Sequence, residues 1–230
     1  MRAIAQPLVA RLGPACAVLG LLLGGSGAAA VSLHQLDDFQ APGLAGWQYA
    51  APTNLTREED LGNGYLQLVT DGDSTPGGRP VVTNDAQWAG DYLAAGITAI
   101  AARFANFGPD DLWIRLGFQS ESGEQWVTDQ AIHLPADGVW HDLHFGLDPA
   151  DYTQVDLGPA GSFLAVLAAV DRIRFLSRED APDWNGAFAE AVLGLDDVTA
   201  VPEPGTLLLV GLGLALTGAA RARRPTAHRG

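Results

Sequence analysis

Between Leu33 and Val201 the chain is a succession of short apolar, β-prone stretches broken by Gly, Pro, Asp and Asn. Pleated, half-buried surfaces favour β-branched and aromatic side chains, and the interrupting residues favour turns, so this rhythm predicts strands. The clearest stretch is Leu112-Trp113-Ile114-Arg115-Leu116-Gly117-Phe118-Gln119. Leu112, Ile114, Leu116 and Phe118 share one face at a period of two, while Arg115 and Gln119 take the other, as in a half-buried antiparallel strand. Ser120-Glu121-Ser122-Gly123 reads as a turn and 125–132 as the returning strand. Further strands are expected at 33–39, 64–70, 96–105, 139–146, 170–177 and 189–200. One stretch departs from this rhythm: Phe163, Val166, Leu167 and Val170 recur at helical spacing, which predicts one or two helical turns before a strand. Eight or more short strands with one small helix predict an all-β fold, a two-sheet jelly-roll sandwich.

The two ends of the chain follow other patterns. Residues 1–30 carry Arg2 and Arg11 and no acid, run apolar from Ala15 to Leu23, and finish in small residues up to Ala30. This is the order of a secretory signal peptide, with cleavage expected after Ala30 or, alternatively, Ala28. Cys16, the single cysteine, would leave with it, so the mature chain would hold no disulfide. At the other end, Val201-Pro202-Glu203-Pro204-Gly205 precedes fifteen uncharged residues, 206–220, and then Arg221, Arg223 and Arg224. A helix of that length spans roughly 22 Å, enough for a thin membrane if the arginines snorkel. The arginines act as a membrane stop on the cytoplasmic side, and the prolines keep the preceding peptide extended and accessible.

Composition bounds the middle, 31–200. It is long enough for one self-standing core. It holds 26 of the 27 acids but seven arginines, and the chain has no lysine. Nucleic-acid binding needs a basic footprint, and there is none. The acidity is read as a soluble, self-repelling surface, with cation-holding carboxylates as the alternative.

The Pro-Glu-Pro core, the apolar run and the basic end resemble, in that order, the PEP-CTERM sorting signal of exported proteins in Gram-negative bacteria. The resemblance implies recognition at Val201, Pro202, Glu203, Pro204 and Gly205 by an exosortase-type membrane processing enzyme, transient membrane anchoring, and delivery to the cell surface or an extracellular, polysaccharide-rich biofilm matrix. Three domains follow: 1–30 signal peptide, 31–200 β-sandwich, 201–230 sorting signal. A second resemblance runs from 84 to 201. Trp88-Ala89-Gly90-Asp91-Tyr92, Trp140-His141-Asp142-Leu143, 163–167, Ile173-Arg174 and 192–198 are similar, in order, to the laminin B-type domain of matrix proteins. It implies a structural or adhesive module and carries over no functional residues.

Within the middle, Asp37-Asp38 opens the domain and Asp196-Asp197 closes it. Pairing of the first and last strands would bring four carboxylates together around a structural calcium; the competing reading sends alternate acids to solvent. Of six tryptophans, Trp113 and Trp126 are the expected glycan-binding pair, with Trp113 opposite its strand's apolar face and Trp126 across the hairpin from it. His141 and His144 sit three apart on a strand, hence on opposite faces. No Gly-x-Ser-x-Gly occurs in this region. The expectation is a non-enzymatic surface or matrix protein of structural or adhesive role, with extracellular polysaccharide as its expected partner; the alternative is a jelly-roll glycan-active enzyme carried by the same tail.

Overall fold

The computed structural model describes residues 30–73 and 77–202. In chain order the strands are β1 (Leu36–Asp37), β2 (Trp47–Gln48), β3 (Leu55–Asp60), β4 (Asn63–Asp71), β5 (Val81–Asn84), β6 (Ala99–Asn106), β7 (Leu112–Ser120), β8 (Gln125–Thr128), β9 (Ile132–Leu134), β10 (Trp140–Gly146), β11 (Tyr152–Gln154), β12 (Val170–Ser177) and β13 (Glu190–Val201). Two short helices, α1 (Tyr92–Ala95) and α2 (Phe163–Leu167), complete the fold. The first sheet runs β10-β6-β13-β4-β3, with β1 also on β13; the second runs β11-β8-β7-β12-β5-β2, with β9 also on β7. Every pairing is antiparallel. The protein is therefore an all-β sandwich, as the alternation predicts.

The core lies where the inner faces meet. Ile100, Phe104, Leu66, Leu68, Leu193 and Leu195 from the first sheet face Leu112, Ile114, Leu116, Phe118, Ile173 and Phe175 from the second, and all are buried. The aromatic members meet edge to face, as at Phe104 and Phe175, 5.1 Å between ring centres, the arrangement the ring quadrupole favours.

Several expectations are corrected here. α-Helix occurs twice among the described residues, beside two 3-10 turns at Pro52–Asn54 and Pro149–Asp151; Asp91 caps α1 by accepting the Ala94 N–H, and Gly96 closes it in the left-handed region. The stretch 125–132 is split, β8 pairing with 117–119 of β7 and β9 with 112–114. The split has a cause in Arg115, whose Nη1 donates to the carbonyls of Thr128 and Asp129 and draws the chain out of the ladder. Arg115 itself is buried, so β7 is covered on both faces at that point. The edge strand β3 escapes the pattern because only Leu55 of its six residues is buried.

The first and last strands do pair, Asp37 opposite Val198. The four aspartates nonetheless diverge. Asp37 points into the core, where its Oδ2 accepts the indole N–H of Trp47 at 2.8 Å and of Trp88 at 2.7 Å, and its Oδ1 accepts the Gln87 amide. Asp38 accepts the Gln40 N–H. Asp196 is buried beside Asn63, and Asp197 sits in the left-handed region at a register shift between Asp196 and Thr199. Among the described residues no group of three or more His, Cys, Asp or Glu side chains is placed to hold a metal ion.

Asp37 belongs to the first sheet and Trp47 to the second, so one carboxylate ties the layers together. Asp37→Ala strands two buried indole N–H groups and should cost about 3 kcal/mol of unfolding free energy. Urea denaturation followed by tryptophan fluorescence checks this; a loss below about 0.5 kcal/mol contradicts it.

Candidate functional site

The outer faces of the two sheets differ. On the second sheet, residues 178–188 lie across β7 and β12 as a strap held by arginines donating to backbone carbonyls. Arg115 donates to Arg178, Glu179 and Asp180; Arg174 to Trp184; Arg178 to Ala181 and Gly186; Arg79 to Asn185. Trp184 packs over Gly117, where an added Cβ would come within 2.8 Å of the ring, and the guanidinium of Arg174, the register partner of Gly117, lies 4.3 Å from the indole ring centre. Burial lowers the Arg174 pKa to about 10, with the neighbouring Arg172 charge adding to the effect. Arg115, with five carbonyl contacts, is likewise held below the ordinary arginine value by burial.

Among the described residues the first sheet has no such strap. Its outer face carries Trp140, Asp142 and His144 on β10, Arg103 on β6, Gly194 on β13, and Tyr65 and Gln67 on β4; the register aligns Trp140 with Ala105 and Ala105 with Gly194. Small residues in the middle of the sheet leave room for rings. An added Cβ at Gly194 would lie 2.9 Å from Trp140 Cη2 and 3.1 Å from Phe107 Cε2. Tyr65, Phe107 and Trp140 thus form one cluster, with ring centres 5.4 Å apart for Tyr65–Trp140, 6.1 Å for Phe107–Trp140 and 6.3 Å for Tyr65–Phe107. Trp140 and Tyr65 are half-buried and Phe107 is 42% exposed.

Hydrogen-bonding groups ring the cluster. The Arg103 guanidinium lies 5.4 Å from the Trp140 ring centre and within 3.5 Å of both Asp142 and Asp197. Gln67 donates to the Tyr65 hydroxyl. Burial, then the Glu58 and Asp60 charges, raise the Tyr65 pKa, so the phenol is neutral. Apolar rings beside amide, guanidinium and carboxylate groups suit a chain with alternating C–H and hydroxyl faces.

The two expected glycan-binding tryptophans are not brought together. Trp126 pairs with Phe118, on the inward side, and packs 5.7 Å from Phe163. Trp113 faces outward on the second sheet opposite His133, whose ring lies 4.6 Å away. His133 is fixed by Asp111, whose carboxyl is held below the usual range by the Ala136 N–H and then by His133. His141 and His144 do fall on opposite faces, opposite Phe104 and Ala101. Sequence reasoning missed the Trp140 cluster. Its signal was a tryptophan at the start of an alternating strand, but Tyr65 and Phe107 come from distant segments that only the register unites.

The class of protein that this geometry defines is a two-sheet antiparallel β-sandwich of jelly-roll type. The fold is similar to the family 11 carbohydrate-binding module from Clostridium thermocellum in complex with a β-1,3-1,4-mixed-linked tetrasaccharide, with TM-score 0.50, 16% identity, and 76% of this chain and 98% of that one covered. It is also similar to an exo-β-agarase (TM-score 0.54, 13% identity, 74% of this chain, 25% of that one) and to the agarase AgWH50C (0.52, 12%, 75%, 24%). The chain therefore spans about a quarter of either agarase. At these identities the likeness is one of fold. A search of curated proteins finds no match.

Residues 200–224 match the PEP-CTERM protein-sorting motif, so the sandwich is carried by a signal for export and surface sorting. Val201 and Pro202 are described; Glu203, Pro204, Gly205, Arg221, Arg223 and Arg224 lie outside the described residues, as does nearly all of the expected signal peptide. Among the described residues no helix is long and apolar enough to cross a membrane.

Asp196, 1% exposed, has its carboxyl raised above the usual range, chiefly by burial. A raised folded-state pKa means that ionising Asp196 in place opposes folding at neutral pH, and that this cost disappears as pH falls through the folded pKa. Relative to Asp196→Asn, the wild-type chain should therefore gain stability on going from pH 7 toward acid. Parallel unfolding curves across that range give the difference; a difference independent of pH contradicts the assignment.

Proposed function

We propose that the sandwich binds extracellular polysaccharide, without turnover, on the outer face of the first sheet. Trp140, Tyr65 and Phe107 provide the apolar surface, and Arg103, Gln67 and Asp142 provide hydrogen bonds at its rim. The observation that carries this reading is the contrast between the two faces: one is closed by an arginine-held strap, the other carries no strap among the described residues and bears an aromatic cluster seated on glycine. The fold that the chain shares with a module seen in complex with a mixed-linked tetrasaccharide supports it. So does the sorting motif, which sends the domain where such polymers lie. The role is structural or adhesive, as the laminin B-type resemblance also implies.

Delivery is proposed to proceed through a signal peptide at 1–30, transient anchoring by 206–220 with Arg221, Arg223 and Arg224 as the stop, and exosortase cleavage within the Pro-Glu-Pro region. Intact-mass spectrometry of the exported protein should show that the arginine cluster is gone. A mature form ending at Gly230 would contradict cleavage.

The binding test uses residues 30–202, which contain the whole described core, against the producing cell's own exopolysaccharide, mixed-linkage β-glucan and agarose. Saturable binding to one of them, with no new reducing ends, is expected. Trp140→Ala should weaken it at least ~10-fold, a loss of about 1.4 kcal/mol, in the range found when a central aromatic contact is removed. Trp113→Ala should leave it within about twofold, as expected for a residue outside the contact. Binding that survives Trp140→Ala but fails in Trp113→Ala would move the site to the second sheet; release of reducing ends would favour the glycan-active enzyme.

A further inference from the structure

Both ends of the described chain leave the sandwich at the same end. The Val201 residue closing β13 pairs with Ala99 at the start of β6, and its carbonyl accepts the Thr98 N–H at 3.0 Å. From the other terminus, Val31 donates to the Ala89 carbonyl and His34 to the Ala200 carbonyl, each at 2.9 Å. Ala89 leads directly into α1, and α1 into β6. The aromatic cluster lies at the opposite end of the same sheet. Trp140, Ala105 and Gly194 are aligned in register there, whereas Gly146, Ala99 and Val201 are aligned at the exit. From Ala99 to Ala105 along β6 the distance is about 20 Å at the usual strand rise.

At the exit Leu93 of α1 is 46% exposed, and beside it a shallow cavity of about 440 Å³ is lined by the buried Ile97, Leu147 and Leu167 and by Pro149, with Thr98 and His144 among its polar lining. Asp148 lies at its margin and Asp91 at the start of α1. In sequence, only Pro202 to Gly205 separate Val201 from the uncharged run at 206–220. Four extended residues reach at most ~14 Å. Whatever anchors that run holds the exit end of the sandwich within the same distance.

We infer that this end is a membrane-docking surface: in the unprocessed precursor Leu93 and the cleft beside it rest on the lipid interface, and the Trp140 cluster is held outward. The inference rests on the proposed anchoring by 206–220. Leucine at an interface gains by burying apolar area among headgroups. Asp91, Asp148 and the acidic surface of the domain disfavour anionic lipid, so the surface fits zwitterionic headgroups. The polysaccharide face then stays accessible while the protein is tethered, and cleavage of the tail, about 20 Å away by the strand geometry, leaves affinity unchanged.

The test uses residues 31–230, the chain left after signal-peptide removal, which contain no cysteine. An environment-sensitive dye is placed at Leu93→Cys or, at the far end, at Val139→Cys, a residue 55% exposed beside Trp140. Ala94→Cys, also exposed, supplies a second probe of the exit end should Leu93→Cys misfold. The proteins are reconstituted into phosphatidylcholine–phosphatidylethanolamine vesicles containing a headgroup-level quencher. Dye at 93 or 94 is expected to lose most of its emission, dye at 139 to keep its own, and the contrast to vanish once the tail is removed. Equal quenching at both ends, or stronger quenching at 139, overturns the inference. A 31–230 chain that fails to float with vesicles overturns the anchor reading and the inference with it, while leaving polysaccharide binding by residues 30–202 to stand or fall on Trp140.

Discussion

The sandwich depends on a single buried carboxylate. Two sheets held only by apolar contact could slide or splay at their margins, because dispersion and burial are non-directional. Asp37 supplies direction. It sits on a two-residue strand of the first sheet and accepts indole N–H groups from Trp47 of the second sheet and from Trp88 just before α1. A buried polar group is tolerable only when its lone pairs are taken up, and here three side-chain donors take them up. Trp47 in turn stacks on Phe175 in the middle of the core. The carboxylate thereby fixes where the first strand, the second strand and the start of α1 lie.

Arginine does comparable work on the outside of the second sheet. The strap from 178 to 188 has no ladder of its own, so its carbonyls would be unsatisfied against the sheet without donors. Arg79, Arg115, Arg174 and Arg178 provide them, through guanidinium forks whose geometry suits several acceptors at once. This spends four of the seven arginines of the sandwich on one face. Arg103 is left on the other, among aromatic rings and carboxylates, and that difference defines the candidate site.

The strands were legible wherever one face is apolar at a period of two. β4, β6, β7, β10, β12 and β13 lie where the alternation places them, and α2 where Phe163, Val166 and Leu167 recur at helical spacing. β3 was not legible because an edge strand need bury only one residue. β2, β5 and β11 were too short to show a period. The pairing of the first and last strands was foreseeable, but the direction of Asp37 was not: nothing local distinguishes an aspartate that meets indoles from one that meets solvent. Arg115 was read as surface because the alternation cannot announce a strap arriving from sixty residues downstream. The aromatic cluster was hidden for a similar reason, since Tyr65, Phe107 and Trp140 become neighbours only through the register of β4, β13, β6 and β10.

The six indole N–H groups offer a direct view of the central claim that the open face of the first sheet holds polysaccharide. In a ¹⁵N-labelled sample of residues 30–202, the indole signals of Trp47 and Trp88, bonded to Asp37, serve as internal references. On titration with the bound polysaccharide, the account predicts that the Trp140 signal moves in a saturable way while Trp47, Trp88 and Trp184 stay fixed. A Trp140 signal that remains still at saturation, with Trp113 moving instead, would contradict it.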